Sequence, residues 1–345
     1  MRNVHIGALA AICFSLIGAP IDARAQQLQK FTSVGSGHVL QYAAFYIAVQ
    51  AKLFEQEGLT ADQVSVDSGP KVSAALEGGS AQVGLLGCYE TATAASRGGA
   101  AVVIAHLYDT FPLFVVLGKD VAARVGVTPT STVDQKVKML RGLKIGITSP
   151  GSATDLMIRS LFLARGMNPD SDILLQPVGV DAAQIAALEK KLTDGFVFGA
   201  PAPQIAVSRG LGQIVINPFE DEIPEMHGLV NTCLAASREV IQKQPKLVLG
   251  VLRAVARGIK LMRESPDEAR KFARAEFKEV DEAVFNQSYD TTFKGYPKSL
   301  VLTPEELKAT VAWRNIGSTK PVEVQYDAAV SPTLARQAEV EILGR

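Results

Sequence analysis

Short apolar runs alternate with amphipathic stretches through the first two thirds of the chain. Residues 28–33, 64–66, 83–86 and 101–106 have the apolar pattern of strands. Between them helices are predicted over 42–56, 72–77 and 91–97. The first carries Phe45, Ala48, Val49 and Leu53 on one side, and Gly58 and the pair Gly78-Gly79 punctuate the chain after the first two. This alternation predicts a parallel sheet covered on both faces. A further apolar strand at 113–117 leads to a polar stretch and a short amphipathic helix ending at Leu140. The pattern then restarts: strands at 144–147, 173–177, 196–198 and 213–216 alternate with helices at 152–165, 182–192 and from 205. One more strand, 229–235, precedes a long amphipathic helix over 238–264, broken at Pro245, with Leu247, Val251, Val255, Ile259 and Met262 on one stripe. A helix over 266–277 follows, and the remainder reads as helical.

One phrase occurs twice. Thr148-Ser-Pro-Gly-Ser152 follows an apolar strand and precedes a helix, and Thr32-Ser-Val-Gly-Ser36 mirrors it. Ser152 or Thr154 can cap the second helix, and Gly166 is placed to end it in a left-handed conformation. A strand–loop–helix turn aims free backbone N–H groups and the positive end of a helix at whatever lies above the loop. Two such loops, one per domain, can face each other across a cleft.

The length of 345 residues fits two α/β domains of roughly 150 residues each. The expected division is 26–117 with 229–345 as domain I and 118–228 as domain II, joined by two crossing segments that act as a hinge. The C-terminal helices are expected to pack on domain I. Formal charge is zero, from 35 basic and 35 acidic residues, and no basic run is interleaved with aromatics, so nothing points to nucleic acid.

Residues 1–25 read as a secretory leader. Arg2 gives a positive start, 6–19 is apolar, and Ala23-Arg-Ala25 is a small-x-small signal for cleavage after Ala25. Cys13 follows Ile12, where a lipidation signal would want a small residue. In an exported protein the remaining Cys88 and Cys233 could pair; the expectation is two buried thiols in apolar strands.

Several stretches together resemble a known family. Ala44-Phe-Tyr-Ile-Ala48 with Lys52-Leu-Phe-Glu-Gln-Glu-Gly-Leu59, Ala74-Ala-Leu-Glu-Gly-Gly-Ser-Ala-Gln-Val-Gly84, Leu140-Arg-Gly-Leu-Lys-Ile-Gly146 with Gly151-Ser152, and the segment from Gln244-Pro245 to Ala254 carry it. In this order and spacing the chain is similar to the nitrate/sulfonate/taurine and thiamine-precursor class of ABC-importer solute-binding proteins. It departs at Gln82 or Val83, where an Asp is commoner, and at Asp194-Gly195, which inverts the usual order. The resemblance implies an α/β type II periplasmic-binding fold of two lobes. It also implies a monomeric periplasmic protein, without cofactor or metal, that holds a small-molecule ligand in its cleft and delivers it to an ABC permease of the inner membrane.

In open α/β sheets ligands sit beyond the carboxyl ends of the strands. Five loops meet that description, at 33–38, 69–71, 87–89, 149–154 and 199–201. The candidates they and the first helix supply are Ser36, Gly37, His38, Tyr42, Tyr46, Cys88, Tyr89, Ser152, Ala153, Thr154, Ala200 and Pro201. Ser152, Ala153 and Thr154 lead, because cap hydroxyls and free N–H groups coincide there. Cys88 reads as inert lining. Lys71 is the one fixed positive charge among the loops, and no arginine accompanies it. That moves the expected ligand away from a free inorganic anion and toward an organic acid, sulfonate or neutral heteroaromatic.

Catalytic motifs for metal hydrolysis, dithiol chemistry, nucleophile elbows and phosphate loops do not occur in the sequence, so no catalytic residue is assigned. Two alternatives stay open at this level. One is a ligand sensor for a membrane receptor. The other is an enzyme of the same fold, of the thiamine-precursor synthase or menaquinone-pathway dehydratase type.

Overall fold

In the computed structural model, residues 27–344 are described. The expected leader, with Cys13 and the cleavage at Ala25, lies outside them. The first half of the path runs β1 (Gln29–Ser36), α1 (Ala43–Gln50), β2 (Leu59–Val66), α2 (Gly69–Glu77), β3 (Val83–Gly87), α3 (Cys88–Ser96) and β4 (Ala101–Tyr108). It continues through β5 (Leu113–Gly118), α4 (Lys119–Val125), α5 (Val133–Met139), β6 (Lys144–Ile147), α6 (Ala153–Leu163), β7 (Leu174–Pro177), α7 (Ala182–Glu189), β8 (Gly195–Gly199), α8 (Ala202–Ser208) and β9 (Gly212–Ile216). It returns as β10 (Thr232–Ser237), followed by α9 (Arg238–Lys243), α10 (Pro245–Glu264), α11 (Pro266–Glu276), α12 (Glu282–Phe293) and α13 (Pro304–Arg314).

The described strands form two five-stranded sheets, ordered β2-β1-β3-β10-β4 and β7-β6-β8-β5-β9. The chain leaves the first sheet after β4 and re-enters it as β10, so two segments connect the sheets. Neither sheet is purely parallel, contrary to the pattern-based expectation. β10 runs antiparallel to β3 and β4, and β5 runs antiparallel to β8 and β9. Each is the strand next to a crossing. It arrives from the other sheet and not through a right-handed strand–helix–strand unit, so the handedness argument that makes its neighbours parallel does not apply to it.

Local signals explain most element ends. Ser152 caps α6 by accepting from the Asp155 N–H, and Gly166 has φ 69°. The predicted helix over 42–56 is shorter: α1 ends at Gln50, and Lys52 takes φ 56°, which an α-helix cannot continue. α10 buries the expected stripe, Leu247, Val251, Val255, Ile259 and Met262, against α1. Arg253 and Arg257 pair with Glu57, fixing α10 to the segment before β2.

One further expectation is corrected. Cys88 and Cys233 form a disulfide, with Cα atoms 5.2 Å apart. Antiparallel pairing sets Thr232 opposite Gly87 and Cys233 opposite Leu86, so Cys88, the residue after β3, falls at the start of β10, where its N–H donates to the Asn231 carbonyl at 2.7 Å. Of the C-terminal helices, α10 and α11 pack on α1 and α13 packs on α3, and α13 also reaches the second sheet's side. Trp313 at the end of α13 donates its indole N–H to Ser160 Oγ of α6 at 3.2 Å and packs on Tyr89 and Phe111.

Candidate functional site

A cavity of about 40 Å³ lies where strand ends of the two sheets meet. Ser36 ends β1, Gly87 ends β3 and Gly199 ends β8; Thr148 follows β6, and Asn231 precedes β10. Tyr42, Gly69, Glu90, Ser152, Ala153, Thr154 and Phe198 complete most of its wall. Both loops carrying the repeated Thr-Ser-x-Gly-Ser phrase therefore reach one site. They are not alike in form. Residues 33–36 are strand, because β1 pairs with β2 as far as Ser36 opposite Val66, whereas 148–152 is a loop.

The loop before α6 is internally bonded. Thr154 Oγ1 accepts from the Thr148 N–H at 2.9 Å and lies 2.8 Å from Ser152 Oγ. Asp155 accepts from the Gly151 N–H at 2.7 Å. These bonds take up capping groups that the sequence suggested were free, so the loop offers the cavity hydroxyl edges more than open donors.

On the other wall, Tyr42 donates to the Leu85 carbonyl at 3.0 Å, with Ser36 Oγ 3.2 Å away. Burial pushes the Tyr42 phenol well above its ordinary range. Glu90 sits in the first turn of α3. Its carboxylate accepts from the Gly87 N–H at 2.7 Å and from the Tyr89 hydroxyl at 2.8 Å. A Cβ at position 69 would lie 1.9 Å from Glu90 Oε1, so glycine there admits the carboxylate. Burial pushes the Glu90 carboxyl up to about 7, against the two hydrogen bonds that favour its charge.

Of the predicted residues, Ser36, Tyr42, Ser152, Ala153 and Thr154 line this cavity. Tyr89 stands behind it; its hydroxyl lies 3.4 Å from the Gly151 carbonyl of the second sheet's loop. Cys88 is in the disulfide. His38 and Pro201 line a separate groove of about 430 Å³ with Asp181, Ile205 and Phe277. There the His38 ring stacks on Phe277 at 4.2 Å and lies 3.2 Å from Glu276. Tyr46 is buried beneath, edge-on to His38. Gly37, at φ 78°, turns the chain against the Phe198 ring, and the Ala200 carbonyl accepts from the Leu40 N–H at 2.8 Å. Lys71 is exposed and paired with Asp67.

Sequence reasoning missed Gln41, Glu90, Phe198, Asn231 and Thr232. For Glu90 a signal existed: an acidic residue three positions after Gly87, at the mouth of an apolar strand, fits the first turn of a helix. Asn231 reaches the site only through the pairing of β10 with β3.

Among the described residues no group of three or more His, Cys, Asp or Glu could hold a metal ion, and no helix is long and apolar enough to cross a membrane. A wider depression of about 990 Å³ near Asp134, Arg165, Asp221 and Glu225 lies toward the far end of α6 from the Ser152 loop.

The fold is shared with solved binding proteins. The alkanesulfonate-binding protein SsuA from Xanthomonas axonopodis pv. citri, bound to MOPS, superposes with TM-score 0.67 at 16% identity, covering 88% of this chain and 98% of that one. The periplasmic nitrate-binding protein NrtA from Synechocystis PCC 6803 superposes with TM-score 0.69 at 15% identity, covering 92% and 89%. In sequence, 117 residues are 28% identical to the nitrate/nitrite binding protein NrtA of Nostoc sp., which is 33% of this chain and 25% of that protein. The match thus spans about a quarter of that relative's length. Residues 27–275 match the NMT1-like family, and the chain belongs to it.

Proposed function

We propose that the protein is the periplasmic substrate-binding component of an ABC importer, holding a small organic ligand between its two lobes and presenting it to an inner-membrane permease. The observation that carries this reading is the composition of the cavity wall. Ser36, Tyr42 and Glu90 come from the first sheet's side, Ser152, Thr154 and Phe198 from the second's, and Asn231 from a connecting segment. A ligand there touches both lobes at once, so it binds most tightly when they are together. The parts expected to move as bodies are 27–117 with 229–344, and 118–228, hinged at the two connections. Membership of the NMT1-like family and the binding activities in the relatives' names support the reading.

A thermal-shift screen tests it, because a ligand that binds the folded state raises Tm. The panel holds sulfonates, aromatic carboxylates, pyrimidines, amines and amino acids. A saturable rise with at least one small molecule, together with a smaller scattering radius in its presence, is expected. Ligand binding without compaction would overturn hinge closure.

A further inference from the structure

We propose that the cavity selects a small ligand bearing N–H donors, such as an amine, amidine or amino-heterocycle, through the Glu90 carboxylate and the Asn231 side-chain amide. The inference rests on the binding-protein reading and adds the ligand class.

Three observations carry it. First, among the described residues lining the cavity none is Lys, Arg or His, and Glu90 is the one with a charged side chain. The nearby basic side chains are engaged elsewhere: Lys71 pairs with Asp67, and His38 lies in the neighbouring groove against Glu276. Second, Glu90 is 8% exposed and receives two hydrogen bonds, from Gly87 and Tyr89. A carboxylate offers about four acceptor positions, so capacity remains for the cavity. Third, Asn231 is 5% exposed, and its Oδ1 is buried without a partner on the same wall. A buried acceptor of this kind is stabilised by a donor from the ligand. An anion brought here would meet a carboxylate with no opposing cation on the wall.

The pH dependence has a definite sign. The titratable groups facing Glu90 are the Tyr89 hydroxyl on its own helix and Tyr42 on the same side of the cavity; Asp155 of α6 and Arg314 of α13 act on Tyr89. With Glu90 titrating at about 7, an N–H donor favours the ionised carboxylate, so affinity rises from pH 6 to pH 8. An anion held by the protonated carboxyl gives the opposite trend.

Calorimetry and thermal shift on the protein with acetamidine, cytosine and 2-aminopyrimidine, against nitrate, methanesulfonate and benzoate, at pH 6 and pH 8, test the inference. At least one N–H donor is expected to bind, several-fold more tightly at pH 8. Glu90→Gln should weaken it tenfold or more and abolish the pH trend. Asn231→Leu should weaken it, and Asn231→Asp, which keeps an acceptor, should bind more tightly than Asn231→Leu. That pair provides the comparison should Glu90→Gln fail to fold. If the anions alone bind, tighter at pH 6, the inference falls and the binding-protein reading stands. If no probe of either class binds and the wider panel also yields no ligand, both fall.

Discussion

The Asp181 carboxylate accepts a hydrogen bond from the backbone N–H of His38 at 2.8 Å. Asp181 begins α7 beside the second sheet, and His38 follows β1 of the first, so this bond ties the lobes together outside the cavity. Asp181 adopts φ 45°, a conformation a non-glycine residue holds only under constraint. Burial also raises its carboxyl above the ordinary value, although the His38 N–H opposes this. Replacing Asp181 with Ala removes the tie. A hydrogen bond to a charged group contributes about 1.5–3 kcal/mol, so ligand affinity should drop roughly ten- to a hundredfold. Scattering of the free protein should show a larger radius of gyration; an unchanged radius and affinity would mean that the bond does not hold the lobes.

Glu90 makes stability depend on pH. Its folded carboxyl, at about 7, lies above the ordinary value of 4.5, so the folded protein binds the proton more tightly than the unfolded chain. The resulting stability is fully present below the unfolded value and is lost as pH rises through about 7, by up to about 3 kcal/mol. Ligand-free protein should therefore melt lower at pH 8 than at pH 6. Glu90→Gln, measured in parallel, should flatten that slope; an equally steep slope in the variant would assign it to other groups.

Thr154 closes the bonds of the loop before α6. Thr154→Val keeps the shape and leaves the Thr148 N–H without its acceptor, at a cost of about 1–3 kcal/mol. Urea unfolding should show this loss, and calorimetry should show weaker ligand binding. Ser152→Ala, which removes the helix cap, should cost about 1 kcal/mol by the same measurement.

The Cys88–Cys233 bond closes a separation of 145 residues. Chain-entropy arguments assign such a cross-link about 3–5 kcal/mol. The double substitution to Ala should lower the urea midpoint by a corresponding amount. Because Cys88 opens α3 two residues ahead of Glu90, ligand affinity should fall as well. Retained affinity would separate the disulfide from the site.

Much of the architecture was legible because its signals are local. The cap at Ser152, the stop at Gly166 and the stripe on α10 each depend on residues a few positions apart. What escaped depends on pairing between distant segments. β1 extends to Ser36 because β2 lies alongside it, and no property of Gly35 or Ser36 announces a strand. α4 is seven residues long, with Lys119, Asp120 and Arg124 among them, too short for a periodic apolar face. The meeting of Cys88 with Cys233 and the arrival of Asn231 beside Glu90 both follow from the register of β10 on β3. The site was legible on the side of the Ser152 loop, where capping chemistry marks it. It was illegible on the acidic side, where predicting α3 to start at Thr91 left Glu90 outside the helix.

Trp313, the chain's single tryptophan, bridges α13 to Ser160 of α6. Its surroundings come from both sides of the joint: Tyr89 begins α3, and Phe111 lies in the connection from β4 to β5. All indole fluorescence of the protein therefore originates at one buried point between the lobes. If the lobes part there, water reaches the ring and its emission moves to the red, so the protein carries an optical gauge of its own opening without any added label.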